Sequence, residues 1–262
     1  MKKILFLLVF TVLSYSQESD KSNVNLINYE LITDSNGNKI STDYLLFSAR
    51  NKSLYMTKKS YNKNYVKSEL VMLKDTNTTK EEINSVVKID TKNHLFCIIK
   101  DFQKDSLIFT NYAGNKSYKI EEKNSDFNWV FIDETKIIDS IKCKKAITNF
   151  RGRNYTAWFA EEIPIFDGPH KFSGLPGLII ELYDSELKYY WIVKSIQYNA
   201  ANEEVFNINL EYPKIDLRTS VKYSDEELLR LVKINQSRLP KDSKSEDLVI
   251  KRGGIELKYE WE

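Results

Sequence analysis

The sequence is poor in the residues that build most catalytic and nucleotide-binding sites. It has two histidines, two cysteines and eight glycines among 262 residues. No G-x-G-x-x-G, G-K-[ST] or G-x-S-x-G pattern occurs, which argues against a nucleotide site and a nucleophile elbow. Ser173, His170 and Asp167 lie within seven residues of one loop, where triad geometry is rare. The sequence therefore predicts a non-enzymatic protein without a cofactor.

An excess of charge of one sign is also missing. The chain has 39 Lys and Arg against 37 Asp and Glu, a formal net charge of +2. Nucleic-acid-binding proteins need a basic face that neutralises phosphates. We therefore expect no nucleic-acid partner.

Long apolar runs are absent except at the N-terminus. Residues 4–13 form a run of about ten apolar residues, too short for a span that needs about 20. Lys2 and Lys3 precede the run and Ser14-Tyr15-Ser16 follow it, the three parts of a secretory signal. We expect residues 1–16 to be a cleaved signal peptide and residues 17–262 a single domain without a transmembrane span. The mature chain would be periplasmic or extracellular.

The two cysteines leave two structural alternatives. Cys97 and Cys143 form a disulfide, or they are separate buried thiols. A metal site of both cysteines with His94 or His170 is a third hypothesis. His94 and Cys97 would point to opposite faces of a strand, which disfavours this site, so no metal ligand is assigned.

Short strands dominate the predicted secondary structure. Hairpin turns are indicated at Asn36-Gly37, at 113–115 and at 151–153. The predicted strands are 24–33, 40–48, 53–58, 64–73, 85–89, 94–100, 106–112, 117–121, 144–150, 154–160, 178–183, 187–198 and 203–211. One helix is predicted from Ser224, whose capping box uses Glu227, to Pro240. This pattern is typical of a mainly β, antiparallel meander.

Proline and glycine are concentrated in residues 164–177. Three of five prolines and three of eight glycines lie there. Leu175-Pro176-Gly177-Leu178 predicts a type II turn, with positive φ at Gly177. A buried strand is expected to start at Leu178.

The run Gly174-Leu175-Pro176-Gly177-Leu178-Ile179 carries a family resemblance. With its flanking residues, from 137 to 184, it resembles the GLPGLI family of secreted Bacteroidetes proteins. The resemblance implies an exported envelope protein of unassigned biochemistry. A looser similarity to the periplasmic lipoprotein-carrier fold implies a curved, half-barrel-like sheet with one or two covering helices.

Cationic and aromatic side chains around the motif are candidate binding residues: Arg153, Trp158, His170, Lys171 and Phe172. The alternative is that these aromatics are core and that Pro and Gly only shape a corner. The sequence therefore favours a non-catalytic binding or carrier module for a hydrophobic or peptide ligand, or for an outer-membrane protein. The alternatives are a metal-binding envelope protein and an enzyme of unrecognised type.

Overall fold

The structure is a computed structural model that describes residues 24–35, 37–65, 94–114, 116–237 and 252–262. The predicted signal peptide, the predicted strand at 85–89, most of that at 64–73, and Pro240 lie outside these residues. Among the residues described, no helix is long and apolar enough to cross a bilayer.

Twelve strands form one open sheet. Their bounds are β1 Val24–Ser35, β2 Asn38–Ser48, β3 Lys52–Thr57, β4 Cys97–Asp101, β5 Ser106–Ala113, β6 Lys116–Lys123, β7 Val130–Ile138, β8 Ile141–Phe150, β9 Arg153–Ala160, β10 Leu178–Asp184, β11 Tyr189–Ala201 and β12 Lys214–Ile215. The order across the sheet is β12-β6-β5-β4-β3-β2-β1-β11-β10-β9-β8-β7. Only the pairing of β12 with β6 is parallel among these strands. Two helices, α1 (Lys58–Tyr65) and α2 (Leu217–Ser237), complete the described structure with a 3-10 turn at Glu203–Phe206.

The predicted hairpin turns are confirmed. In the first hairpin Ser35 pairs with Asn38, which leaves a two-residue connection with Gly37 at φ +85°. In the turn between β8 and β9, Arg151 and Gly152 have φ of +45° and +85°. Two successive positive φ values are the requirement of a type I′ turn, which suits the twist of a hairpin.

The sheet is strongly curved. The β8–β9 turn lies nine strands from β6 in the sheet order, a separation of roughly 43 Å if the sheet were flat. Nevertheless, Nη2 of Arg151 in that turn lies 2.8 Å from Oε2 of Glu122 in β6. The two ends of the open sheet therefore curl towards each other, and the prediction of a curved, mainly β fold is confirmed.

Alternate residues of the central strands serve two apolar clusters. Ile27, Leu46, Tyr55, Ile98 and Trp191 belong to the large cluster on the face inside the curl, here the inner face. Leu45, Phe47, Leu54, Met56 and Cys97, which are neighbours of these residues in sequence, form the second cluster on the outer face together with Val24. This alternation follows the two-residue period of a strand. Side chains from α1 and from residues 205–210 cover the outer cluster.

One predicted element in the C-terminal half is wrong, and a second, the predicted helix, is present but starts earlier than expected. The predicted strand at 203–211 is a 3-10 turn followed by irregular chain, because Asn202 accepts a hydrogen bond from the amide of Glu204 and so starts the turn. The helix α2 starts at Leu217, seven residues before the predicted Ser224 cap. Asp216 caps it instead, since its carboxylate accepts the amide of Thr219 at 2.8 Å.

The connection between β9 and β10, residues 161–177, leaves the sheet and crosses its inner face. It closes on a tight turn, in which the amide of Gly177 donates to the carbonyl of Leu175 at 2.8 Å. The amide of Leu178 donates to Ile163 at 3.1 Å. The predicted positive φ at Gly177 is present, but at +151° it is far from the roughly +80° of a type II turn, so the turn is of another type. Gly177 has φ +151°, and a Cβ there would lie 2.1 Å from the carbonyl oxygen of Ala160.

The two motif glycines provide a matched pair of variants. We expect Gly177→Ala to lower the free energy of unfolding by about 2–4 kcal/mol, because the added methyl meets backbone that cannot move aside. Gly174 has φ +86°, but a Cβ added there would have no atom within 4 Å. Gly174→Ala should cost only about 1 kcal/mol of backbone strain. Urea unfolding measures both, and equal losses would contradict this explanation.

Candidate functional site

Lys100 is a fully buried cation on the inner face of β4. Its Nζ donates to Oδ1 of Asp167 at 2.5 Å and to the carbonyls of Gly168 and Phe172, each at 3.0 Å. All three ammonium protons are therefore used. Burial lowers the pKa of Lys100, and the charge of Asp167 opposes that shift. The three acceptors all belong to the 161–177 connection. This one side chain therefore holds the connection, which starts from β9, against β4.

Four further charges form a closed ring beside the connection. Glu122 in β6 and Glu256 near the C-terminus each bridge Arg151 and Lys171. The four N–O distances are 2.6–2.8 Å, and all four side chains are almost buried. Burial raises the pKa of Glu256, but Lys171 and Arg151 outweigh it and hold that pKa at about 2. The ring joins both ends of the curled sheet to the C-terminal segment, which we define as residues 252–262.

A cavity of about 350 Å³ lies beside this ring. It is bounded by the inner face of β4 and β5, by α2 and by the C-terminal segment. Its apolar lining comes from Phe96, Ile98, Phe109, Leu217, Val221, Leu228 and Ile255. Polar lining comes from Asn111, His170, Lys171, Ser220 and Ser224, among others. The cavity thus offers an apolar space with a polar side.

His170 supplies an unusual polar atom at the cavity. It has φ +54°, an uncommon conformation for a residue with a side chain. Burial lowers its pKa to about 3, so the imidazole is neutral at physiological pH. Its Nδ1 is buried and has no hydrogen-bond partner among the described residues. A neutral imidazole nitrogen can donate or accept one hydrogen bond, depending on the tautomer.

The structure separates the five predicted binding residues. His170 and Lys171 line the cavity, whereas Arg153, Trp158 and Phe172 are not among its lining residues. Arg153 is buried against Asp184, with an N–O distance of 2.9 Å. Phe172 is fully buried in an aromatic cluster with Phe127, Phe150, Tyr155 and Trp191.

Trp158 lies beside cationic side chains instead of the cavity. The Nζ of Lys136 is 4.6 Å from the centroid of its ring, and Lys136 pairs with Glu181.

Sequence reasoning missed Glu122 and Glu256 as partners of Lys171. The acidic residue between Ile255 and Leu257 was a signal for one of them, since a charge within an apolar pattern needs a partner when it is buried.

The structure has no disulfide between the two cysteines, because both thiols are free. Cys97 and Cys143 are both buried, in different apolar clusters. Burial raises the pKa of Cys97 to about 12 and that of Cys143 to about 11. Both thiols are therefore protonated at neutral pH.

The alternative metal and triad arrangements are not assembled in the part of the chain that the structure describes. No group of three His, Cys, Asp or Glu side chains there has metal-binding geometry. His94 contacts the hydroxyl of Ser117 at 2.9 Å. Asp167 bonds to Lys100, and Nδ1 of His170 has no partner, so the Asp–His hydrogen bond of a triad is missing.

Comparison with known proteins gives one family match and a set of distant structures. Residues 102–181 match the family model Porph_ging, described as a protein of unknown function. The matched segment runs from the end of β4 into β10 and contains the whole 161–177 connection. No curated protein sequence matches the chain significantly.

The structural likeness concerns the fold alone. PNGF-II, solved in space groups C2 and P21, superposes with a TM-score of 0.53 and 13% identity. The overlap covers 77–78% of this chain and 32–33% of PNGF-II, so the chain spans about a third of PNGF-II's length. A LolA superfamily protein from Nitrosomonas europaea has a TM-score of 0.31 at 8% identity, over 71% of this chain and 90% of its own.

The buried Lys100–Asp167 pair generates a stability prediction. We expect Lys100→Met to lower the free energy of unfolding by about 3–5 kcal/mol, because it leaves the Asp167 carboxylate buried without a cation. The double variant Lys100→Met, Asp167→Asn removes that charge and should regain part of the loss. Lys104→Met is the control: it removes an exposed ammonium 3.9 Å from the mostly buried Asp101 and should change stability by less than about 0.5 kcal/mol. Equal stability of Lys100→Met and Lys104→Met would contradict this account.

The lowered pKa of His170 predicts acid sensitivity. Between pH 6.5 and about 3 the unfolded chain binds a proton that the folded chain excludes, so stability falls as pH falls through this window. Glu256 adds to the loss only below pH 4.5. His170→Gln should therefore flatten the change in urea midpoint between pH 7 and 5. His94→Gln, at a half-buried histidine whose pKa burial also lowers, should have a smaller effect. An unchanged pH profile in His170→Gln would argue against a neutral buried imidazole.

Proposed function

We propose that this protein is an exported, non-catalytic binding module whose ligand occupies the cavity between α2 and the inner face of the sheet. In this proposal residues 17–262 form a single domain in the periplasm or outside the cell. The observation that carries it is a cavity of about 350 Å³ with a mainly apolar lining that includes His170, a residue whose buried Nδ1 has no hydrogen-bond partner among the described residues. An unsatisfied buried polar atom is costly, and a bound ligand would satisfy it.

The lining indicates the chemistry of the ligand. The volume lies within the range of small-molecule sites, about 300–1,000 Å³. Phe96, Ile98 and Phe109 on the sheet and Leu217 and Leu228 on α2 provide an apolar contact for a hydrophobic body. His170 is neutral, so it favours an uncharged hydrogen-bonding group over an ionised one. The ligand class is therefore a compact hydrophobic molecule with one neutral polar group.

Lys171 does not alter this conclusion, although it lines the cavity. Its ammonium is 2.7 Å from carboxylate oxygens of both Glu122 and Glu256. Two carboxylates therefore already satisfy its charge. An anionic ligand group in the cavity would have to compete with these two carboxylates for the same ammonium. His170 lines the same cavity and has an unpaired ring nitrogen.

The proposal is tested by measuring how a neutral fluorescent probe binds to the full chain and to a variant with a filled cavity. N-phenyl-1-naphthylamine has an apolar body and one N–H, and its fluorescence rises in an apolar site. We expect saturable binding to the full chain and at least about tenfold weaker binding to Val221→Trp, because the indole fills the space. His170→Phe should weaken binding about fivefold, the value of one net hydrogen bond. Lys222→Trp, on the exposed side of the same helix turn, is the control.

The opposite pattern would refute this site. If Val221→Trp bound the probe as tightly as Lys222→Trp and the unchanged chain, the probe would be bound elsewhere. Native mass spectrometry of protein isolated from its own exported fraction supplies a second measurement. A bound small molecule should be present on the unchanged chain and absent from Val221→Trp.

A further inference from the structure

The C-terminal segment, which bends at residues 254–255, is held by side chains in the way that a bound peptide is held. Three successive carbonyls accept hydrogen bonds from side chains of the sheet. The hydroxyl of Tyr189 donates to Gly253 at 2.7 Å, Nε of Arg153 donates to Gly254 at 3.0 Å, and the hydroxyl of Tyr155 donates to Ile255 at 2.9 Å. The donors come from β9 and β11, so the sheet presents a row of fixed donors to a backbone.

The next residue of the segment is recognised through its side chain. Glu256 accepts from Nη1 of Arg151 at 2.6 Å and from Nζ of Lys171 at 2.7 Å. The amides of Leu257 and Lys258 then donate to the carbonyl of Arg151, at 2.8 and 3.1 Å. Backbone donors and acceptors of the segment are thus both paired with the β8–β9 hairpin, as in a bound peptide.

The charges of the groove require an acidic occupant. Arg153 is neutralised by the buried Asp184. Once Glu256 is left out, Arg151 and Lys171 share the buried carboxylate of Glu122, and the one other carboxylate on Arg151 is the exposed Glu260. A buried cation without a partner is strongly unfavourable, so this groove selects a carboxylate at the position of Glu256.

The shape of the groove determines which residues of the peptide fit beside the acidic position. Ile255 packs against the inner-face cluster, so an apolar side chain is preferred before the acid. Gly152 has to lack a side chain, because a Cβ there would lie 3.2 Å from Lys258 and 3.3 Å from Leu257. At Gly253 and Gly254 the nearest atoms to an added Cβ are 3.5 and 3.7 Å away, and neither has positive φ. Small residues other than glycine fit there.

We propose that the β8–β9 hairpin, with Tyr189 and Lys171, is a peptide-binding groove for segments of the pattern small-small-apolar-acidic. Residues 253–258 are its resident and exchangeable occupant in this chain. The groove is distinct in chemistry from the cavity beside it, since it pairs a peptide backbone and a carboxylate, and it goes beyond the proposed function. Peptides with this pattern from another polypeptide compete for the same donors.

The test keeps the full chain and makes the segment exchangeable. A site-specific protease sequence is inserted within 241–247, outside the described residues, and the folded protein is cleaved there. A fluorescent peptide of residues 252–262, RGGIELKYEWE, is then added and its anisotropy is measured. We expect saturable binding that excess unlabelled peptide reverses, together with release of the cleaved segment.

Two peptide variants test whether binding depends on the carboxylate at position 256. The Glu256→Gln peptide should bind at least about 30-fold more weakly, because it removes the carboxylate that Arg151 and Lys171 share and leaves Lys171 with Glu122 alone. The Glu260→Gln peptide is the matched control, since Glu260 is exposed and contacts Arg151 alone at 3.0 Å. Its affinity should stay within about threefold of the unchanged peptide.

Three results would overturn the proposal. They are no binding of the labelled peptide to the cleaved protein, equal binding of the Glu256→Gln peptide, and loss of the β circular-dichroism signal when the segment is released. The last result would make the segment an integral part of the fold. Probe binding to the uncleaved chain is measured separately, so failure here is distinguishable from failure of the cavity proposal.

Discussion

A buried ammonium group, that of Lys100, sets the strictest constraint on this fold. It has no access to water, so it needs three acceptors and a negative charge in fixed positions. The connection 161–177 supplies all of them, from the carboxylate of Asp167 and two carbonyls. Because Lys100 is on β4 and the connection starts from β9, the pair requires the connection to cross the inner face. The sheet curls around it.

The candidate binding features follow from this arrangement. The pinned connection places His170 at a positive φ against the cavity and Lys171 within the ring of four charges. That ring closes the curl, since it bridges β6, the β8–β9 turn and the C-terminal segment. Lys171 is therefore held by two carboxylates while His170 keeps an unpaired nitrogen. The two adjacent residues differ in what they can bind because their electrostatic surroundings differ.

The local sequence predicted those elements whose structure depends on residues close together in the chain. The Asn-Gly and Arg-Gly steps predicted hairpin turns because those turns require positive φ within two residues. Alternating apolar residues predicted the strands, because a strand that buries one face has an apolar side chain at every second position. The Pro176-Gly177 turn shows the limit. Its residues suit a type II turn, but the approach of Ala160 and the hydrogen bond to Ile163 impose a different one.

The sequence by itself determined that the chain is mainly β, that its hairpins turn at defined glycines, and that residues 164–177 form an irregular excursion. Each of these depends on neighbours in the chain. Only the tertiary structure decided that Lys100 is buried, that the cysteines are apart, and that Glu256 completes a ring with Arg151 and Lys171. Those partners are 67 to 105 residues apart, and charge pairing over such separations depends on how the sheet curls. No local pattern encodes that curl.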